Sequence, residues 1–123
     1  MRLIFTLLFC CLLLCQTPLF ALEVNPRKLD TGELNAAEIR EHTVTLKNDE
    51  KSTVTITKLR SSCECITLET TEEKQIYPGK TFDIKVRINP EKMQKSRFKK
   101  FIFIKVENSA SPVYSIEVIG NIF

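Results

Sequence analysis

Thr81-Phe82-Asp83-Ile84-Lys85-Val86-Arg87-Ile88 sets four apolar side chains on one parity and four polar ones on the other. Successive side chains of a strand leave opposite faces, so this period of two predicts a strand half-buried against a core. The run starts behind Tyr77-Pro78-Gly79-Lys80, where proline presets φ and glycine accepts a positive one. It stops at Asn89-Pro90.

The same pattern extends outward in both directions. His42, Val44 and Leu46 alternate with Thr43, Thr45 and Lys47, and a polar turn follows at Asn48-Asp49-Glu50-Lys51. Val54 and Ile56 alternate with Thr53, Thr55 and Thr57, β-branched residues that suit a pleated surface. On the other side, Phe101 to Val106 is apolar on both parities, which predicts a central strand covered on both faces. Asn108 to Pro112 turns the chain, and Tyr114, Ile116 and Val118 alternate into a last strand that meets Gly120. Residues 91–100 are polar and basic and are expected to form a loop. Between Glu33 and Arg40, Leu34, Ala37 and Ile39 suit a short helix, although Gly32 and the strand beginning near Ile39 leave room for barely two turns. About seven short strands with turn signals between them predict an all-β, immunoglobulin-like two-sheet sandwich.

Upstream of this pattern the chain changes character. Arg2 is the single charge among residues 1–21, followed by the apolar run Leu3 to Cys15, the break Gln16-Thr17-Pro18, and a small residue at Ala21. That order of charge, apolar stretch and small exit residue is the secretory pattern. The run is short for a bilayer span, which takes roughly 20 residues. Residues 1–21 are therefore expected to be a signal peptide and residues 22–123 the sandwich, an exported domain of the periplasm or the extracellular space. The minority alternatives are an uncleaved anchor and a lipoprotein lipidated at Cys15, where Leu14 stands in the place that a small residue normally takes.

Beyond Arg2 the 18 basic and 15 acidic residues become 17 and 15, net +2. So mild a charge argues against a nucleic-acid binder. His42 is the only histidine, and three glycines cannot build a phosphate loop. No Ser, His and Asp set or paired-carboxylate box is present, so the chain is read as not an enzyme. His42 itself alternates with the apolar face of its strand and is read as a core or boundary residue.

Several short stretches resemble a known family in order and spacing. They are Leu29-Asp30-Thr31-Gly32-Glu33-Leu34, a strand closing on Asn48, Ser62-Cys63-Glu64-Cys65, Pro78-Gly79-Lys80, a strand closing on Asn108, and Ile119-Gly120-Asn121-Ile122. Together they resemble the bacterial exported domain-of-unknown-function 1573 family over roughly residues 24–122. Its pattern runs through an S-C-G-C-T signature, a proline-glycine-glutamate turn and a closing glycine. Glu64 stands here at the signature's glycine and Ile66 at its threonine. The resemblance implies an immunoglobulin-like sandwich related to the major-sperm-protein type, acting as an interaction module, and it brings no activity with it.

Cys63 and Cys65 are the cysteines that remain once Cys10, Cys11 and Cys15 leave with the signal segment. Two apart on a strand, they share a face, with Cα atoms near the upper limit for a bridge. Three readings stand: packing or a structural disulfide where a strand crosses between sheets, a labile redox pair, and a two-coordinate Cu(I) site. Structural zinc would want four ligands, which the chain does not cluster. A second candidate is the basic stretch Lys92, Lys95, Arg97, Lys99 and Lys100, either a solvated connection or a contact to an anionic surface. The expected role is a non-catalytic module bound to another envelope protein. The alternatives are a thiol redox or Cu(I)-handling domain on the Cys-x-Cys motif and a peripheral membrane protein using Lys92 to Lys100.

Overall fold

The computed structural model describes residues 22–70 and 74–123. The expected signal segment, residues 1–21, lies outside them. Nine strands follow in order: β1 (Leu22–Asn25), β2 (Lys28–Leu34), β3 (Arg40–Asn48), β4 (Val54–Ser61), β5 (Ile66–Thr70), β6 (Gln75–Ile76), β7 (Thr81–Ile88), β8 (Arg97–Glu107) and β9 (Val113–Ile122). They form a four-stranded sheet in the order β1-β3-β7-β5 and a five-stranded sheet in the order β2-β9-β8-β4-β6. All the pairings are antiparallel except β2 with β9. The two-sheet immunoglobulin-like sandwich expected from the alternation is what the chain builds.

Among the described residues there are nine strands where about seven are expected. Asn25–Pro26, a cis bond, lies between β1 in one sheet and β2 in the other. The two-residue β6 pairs only with Val54 and Thr55, too short to announce itself by periodicity. Among the described residues there is no α-helix. The helix considered for Glu33 to Arg40 does not form: Glu33 and Leu34 end β2, Arg40 begins β3, and the chain turns between them, where the Asn35 side chain accepts from the Ala37 amide at 2.9 Å and its carbonyl from the Glu38 amide at 3.1 Å. An asparagine that satisfies the backbone locally favours a turn over a helix.

The core lies between the two sheets. Val44, Leu46, Ile84, Val86 and Ile88 from one meet Ile102, Ile104, Ile116 and Val118 from the other, all fully buried. β7 alternates between exposed and buried along its whole length. Asn48 is the one buried polar side chain among the described residues. Its Nδ2 donates to the carbonyls of Ser52 and Ile76, each at 2.8 Å, and its Oδ1 accepts from the Glu50 amide at 2.8 Å. Asn48 ends β3 in one sheet and Ile76 lies in β6 of the other, so a single side chain ties the layers together. At the opposite side Gly120 passes under Phe98 and Thr31. A Cβ there would lie 2.1 Å from Thr31 Oγ1 and 2.7 Å from the Phe98 ring, which is why β9 needs glycine at this crossing.

Candidate functional site

Cys63 and Cys65 lie on the turn that carries the chain from β4 in one sheet to β5 in the other. They are bonded to each other as a disulfide, with Cα atoms 5.1 Å apart. They are not on a strand, as their spacing had suggested, because the chain bends through residues 62–65 before β5 begins. The bend is held on every side. The Ser61 hydroxyl lies 2.7 Å from the Cys63 carbonyl and 2.9 Å from that of Ile66. The Ser62 amide donates to the Phe101 carbonyl at 2.8 Å, and the Asn89 amide donates to the Cys65 carbonyl at 2.8 Å. Cys65 is 1% exposed and belongs to the core, while Cys63 is half-buried against it.

A disulfide is the oxidised form of a thiol pair, so the bond does not separate a structural bridge from a redox pair, whereas Cu(I) binding would require its reduction. Copper binds thiolate, and each sulfur here is spent on the other. Among the described residues no group of three or more His, Cys, Asp and Glu side chains is placed to hold a metal. His42 sits opposite Val86 on β3, with β7 between it and β5, which sets it about 10 Å from β5 at two strand spacings. Its Nε2 is buried without a hydrogen-bond partner.

The basic stretch is only partly a loop. Asn89 caps a single 3-10 turn, Pro90–Lys92, by accepting from the Glu91 amide at 3.2 Å. Arg97, Lys99 and Lys100 then belong to β8, paired with Asn121, Ile119 and Val118 of β9. Cross-strand pairing with β9 overrides the weak strand propensity of lysine. The fold brings Cys63 to this stretch, and a cavity of about 420 Å³ is lined by Cys63, Lys92, Arg97, Lys99 and Lys100 among others. Lys95 is not part of its wall. Lys99 is paired with Glu117 at 3.0 Å. Lys92, Lys95, Arg97 and Lys100 have no ion pair among the described residues.

Two further features were not anticipated. The first corrects the expectation for Phe101 to Val106. Ile102, Ile104 and Val106 are buried, but Phe101 and Phe103 remain 38% and 40% exposed on the outer face of the five-stranded sheet. The strand is central, between β4 and β9, yet only one face is covered. Lys99 and Lys105 share the parity of the two phenylalanines, and that was the available signal. The two rings lie side by side, with centroids 6.2 Å apart and planes 22° apart.

The second feature is an open side of the sandwich. The Ile56 amide still donates to the Lys74 carbonyl at 2.7 Å; beyond it, among the described residues, β4 pairs with β8 alone, and β5 pairs with β7 alone. Leu59 and Leu68, both half-buried, look into the groove between these two edges, about 210 Å³ in volume. The Ser62 amide reaches β8, so strand alternation turns the main-chain groups of Leu59 and Ser61 toward the unpaired side.

The sequence of residues 22–122 matches the family described as Protein of unknown function (DUF1573), and the chain belongs to that family. No curated protein matches the sequence. Solved structures of similar shape include a Porphyromonas gingivalis W83 protein of unknown function, 17% identical over 83% of this chain with a TM-score of 0.73. The chain spans 46% of that protein's length. The PapD-like domain 7 of human CEP192 is 10% identical over 89% of this chain and 90% of its own, with a TM-score of 0.65. The Escherichia coli chaperone DraB is 12% identical over 83% of this chain and 55% of its own, with a TM-score of 0.60. At these identities the likeness is one of fold, a two-sheet β-sandwich.

Proposed function

We propose that the chain is an exported, non-catalytic β-sandwich that holds another envelope protein against its open side. The observation that carries this reading is the pair of adjacent strand edges, β4 beyond Ile56 and β5, each with one neighbouring strand among the described residues and with Leu59 and Leu68 between them. Unpaired edges invite an added strand: main-chain hydrogen bonds supply affinity and an apolar groove between them supplies selectivity. The likeness to a PapD-like domain and to a protein described as a chaperone favours protein recognition over chemistry. The N-terminal run from Arg2 to Ala21 supports export, and a Cys63–Cys65 disulfide is at home in an oxidising compartment.

Site-specific photo-crosslinking in cells tests the proposal. A photoreactive residue at Thr57, beside the open edge, is expected to yield one discrete adduct with an envelope protein. The same residue at Thr43, on the outer face of the other sheet, is expected to yield none. Adducts at neither position, or equal adducts at both, would contradict it.

A further inference from the structure

A second surface, distinct from the open edge, runs across the outer face of the five-stranded sheet. Register places three rows there. Lys58, Lys105 and Val113 are cross-strand neighbours, Arg60, Phe103 and Ser115 form the next row, and Phe101 and Glu117 pair in the third. A cavity of about 620 Å³ opens over this face, lined by Lys58, Arg60, Ser62, Phe103, Lys105 and Val113. Val113 is 46% exposed, which joins it to the two phenylalanines in one apolar strip. Exposed apolar surface of this kind, rimmed by polar groups, marks interaction sites.

The charges say what kind of partner suits it. Lys58 lies directly opposite Lys105, a cross-strand arrangement of like charges that costs stability. A β-bulge makes it so: the register shifts between Ile56 and Lys58, which puts Lys58 on the outer face and Leu59 on the inner one. Among the described residues neither lysine has an ion pair, and neither has Arg60. The charged groups of the wall are thus hydrogen-bond donors only, and acceptor-only carboxylates match them. Sugar hydroxyls would also need acceptors, and among the lining side chains only the Ser62 hydroxyl can serve as one. Stacked nucleobases would want aromatic platforms and a strongly basic chain, whereas this face includes aliphatic Val113 and the chain carries a formal net charge of +3.

We propose that the Phe101–Phe103–Val113 strip, with Lys58, Arg60 and Lys105 around it, docks an acidic, extended protein segment. The segment's carboxylates meet the three cations while its apolar side chains cover the rings. This goes beyond the open-edge reading and rests on different residues, apart from Lys58, which stands where the two surfaces meet.

The test is a titration of the ¹⁵N-labelled protein, expressed from its full sequence, with a terminally blocked peptide ELELELE. Its lysine counterpart KLKLKLK and a heptameric oligothymidylate serve as comparisons. The expected result is saturable amide shifts for the acidic peptide alone, confined to residues 58–62, 101–105 and 113–115. Lys58→Glu with Lys105→Glu is expected to weaken binding about tenfold or more, whereas the arginine pair at both positions stays within about threefold. Phe101→Thr with Phe103→Thr is expected to abolish saturation while the melting transition persists. The proposal is overturned by equal shifts with the lysine peptide, tighter binding of oligothymidylate on the same amides, shifts confined to Lys92–Lys100, or shifts produced by protein concentration alone. Absence of saturation also overturns it. Shifts confined to Ile66–Thr70 would overturn it while favouring the open-edge function, so the two readings fail separately.

Discussion

β7 and β8 occupy corresponding places, each central in its own sheet and each inserting isoleucines into the same core, yet their outer faces are finished differently. On β7 the solvent-side arginine is neutralised by two carboxylates, while Lys85 has no ion pair among the described residues. Arg87 donates to Glu41 at 2.7 Å and lies 3.8 Å from Glu69, and Thr45 donates to Asp83 at 2.9 Å. On β8 only Lys99 has a counter-ion, and Phe101, Phe103 and Lys105 face water beside the cations of β4. The lesson is that inward parity builds the fold while outward parity decides which sheet is free to meet a partner.

The inward half of the comparison predicts equivalence. Ile84→Ala and Ile104→Ala remove fully buried side chains from opposing sheets, and each is expected to cost about 3–4 kcal/mol in denaturant unfolding. A markedly smaller loss on either strand would show that the core is not shared evenly. Asn48→Ala leaves the buried Ile76 carbonyl, the part-buried Ser52 carbonyl and the Glu50 amide without their partner and is expected to cost about 2–3 kcal/mol. Gly120→Ala forces Thr31 and Phe98 aside, at about 1–3 kcal/mol, measurable as a lowered melting temperature.

The outward half predicts asymmetry. Phe103→Thr keeps a strand-favouring residue on a solvent face and is expected to change stability by about 1 kcal/mol or less. A larger cost would assign the ring a structural task. The smallest effect belongs to β7. The hydrogen bond and charge of Arg87 hold the Glu41 carboxyl below its usual value, and Glu41 in turn raises Arg87. A carboxyl lowered by folding stabilises above its unfolded pKa, and the contribution is lost as pH falls through the folded value. Carbon-detected titration is expected to place the Glu41 midpoint below the normal glutamate range, and Arg87→Ala is expected to return it.

Much of this was legible in the chain because the information is local. Thr81 to Ile88 carries its whole structural meaning in its own alternation, and the sandwich followed from repeating that pattern. Phe101 to Val106 was misread because hydrophobicity alone cannot say which of two apolar parities meets water; the lysines at 99 and 105 held that answer. Arg97 to Lys100 has no alternation to display, and its strand exists through pairing with β9. The bridging task of Asn48 depends on Ile76, 28 residues away in the other sheet, which no local signal reports. At the cysteines the spacing of two suggests a shared strand face, but the chain bends there, and the bend that brings the sulfurs together arises from Ser61, Ser62 and Asn89. The meeting of Cys63 with Lys92 and Arg97 in one cavity is likewise a product of tertiary structure.

The contrast between the two outer faces is tested most directly by radical footprinting of the protein in its native envelope against the purified chain. The account predicts that Phe101, Phe103 and Lys58 are protected in the envelope while Lys85 and Asp83 of β7 label equally in both. Equal labelling of Phe101 and Phe103 in the two states, or protection confined to β7, would contradict it.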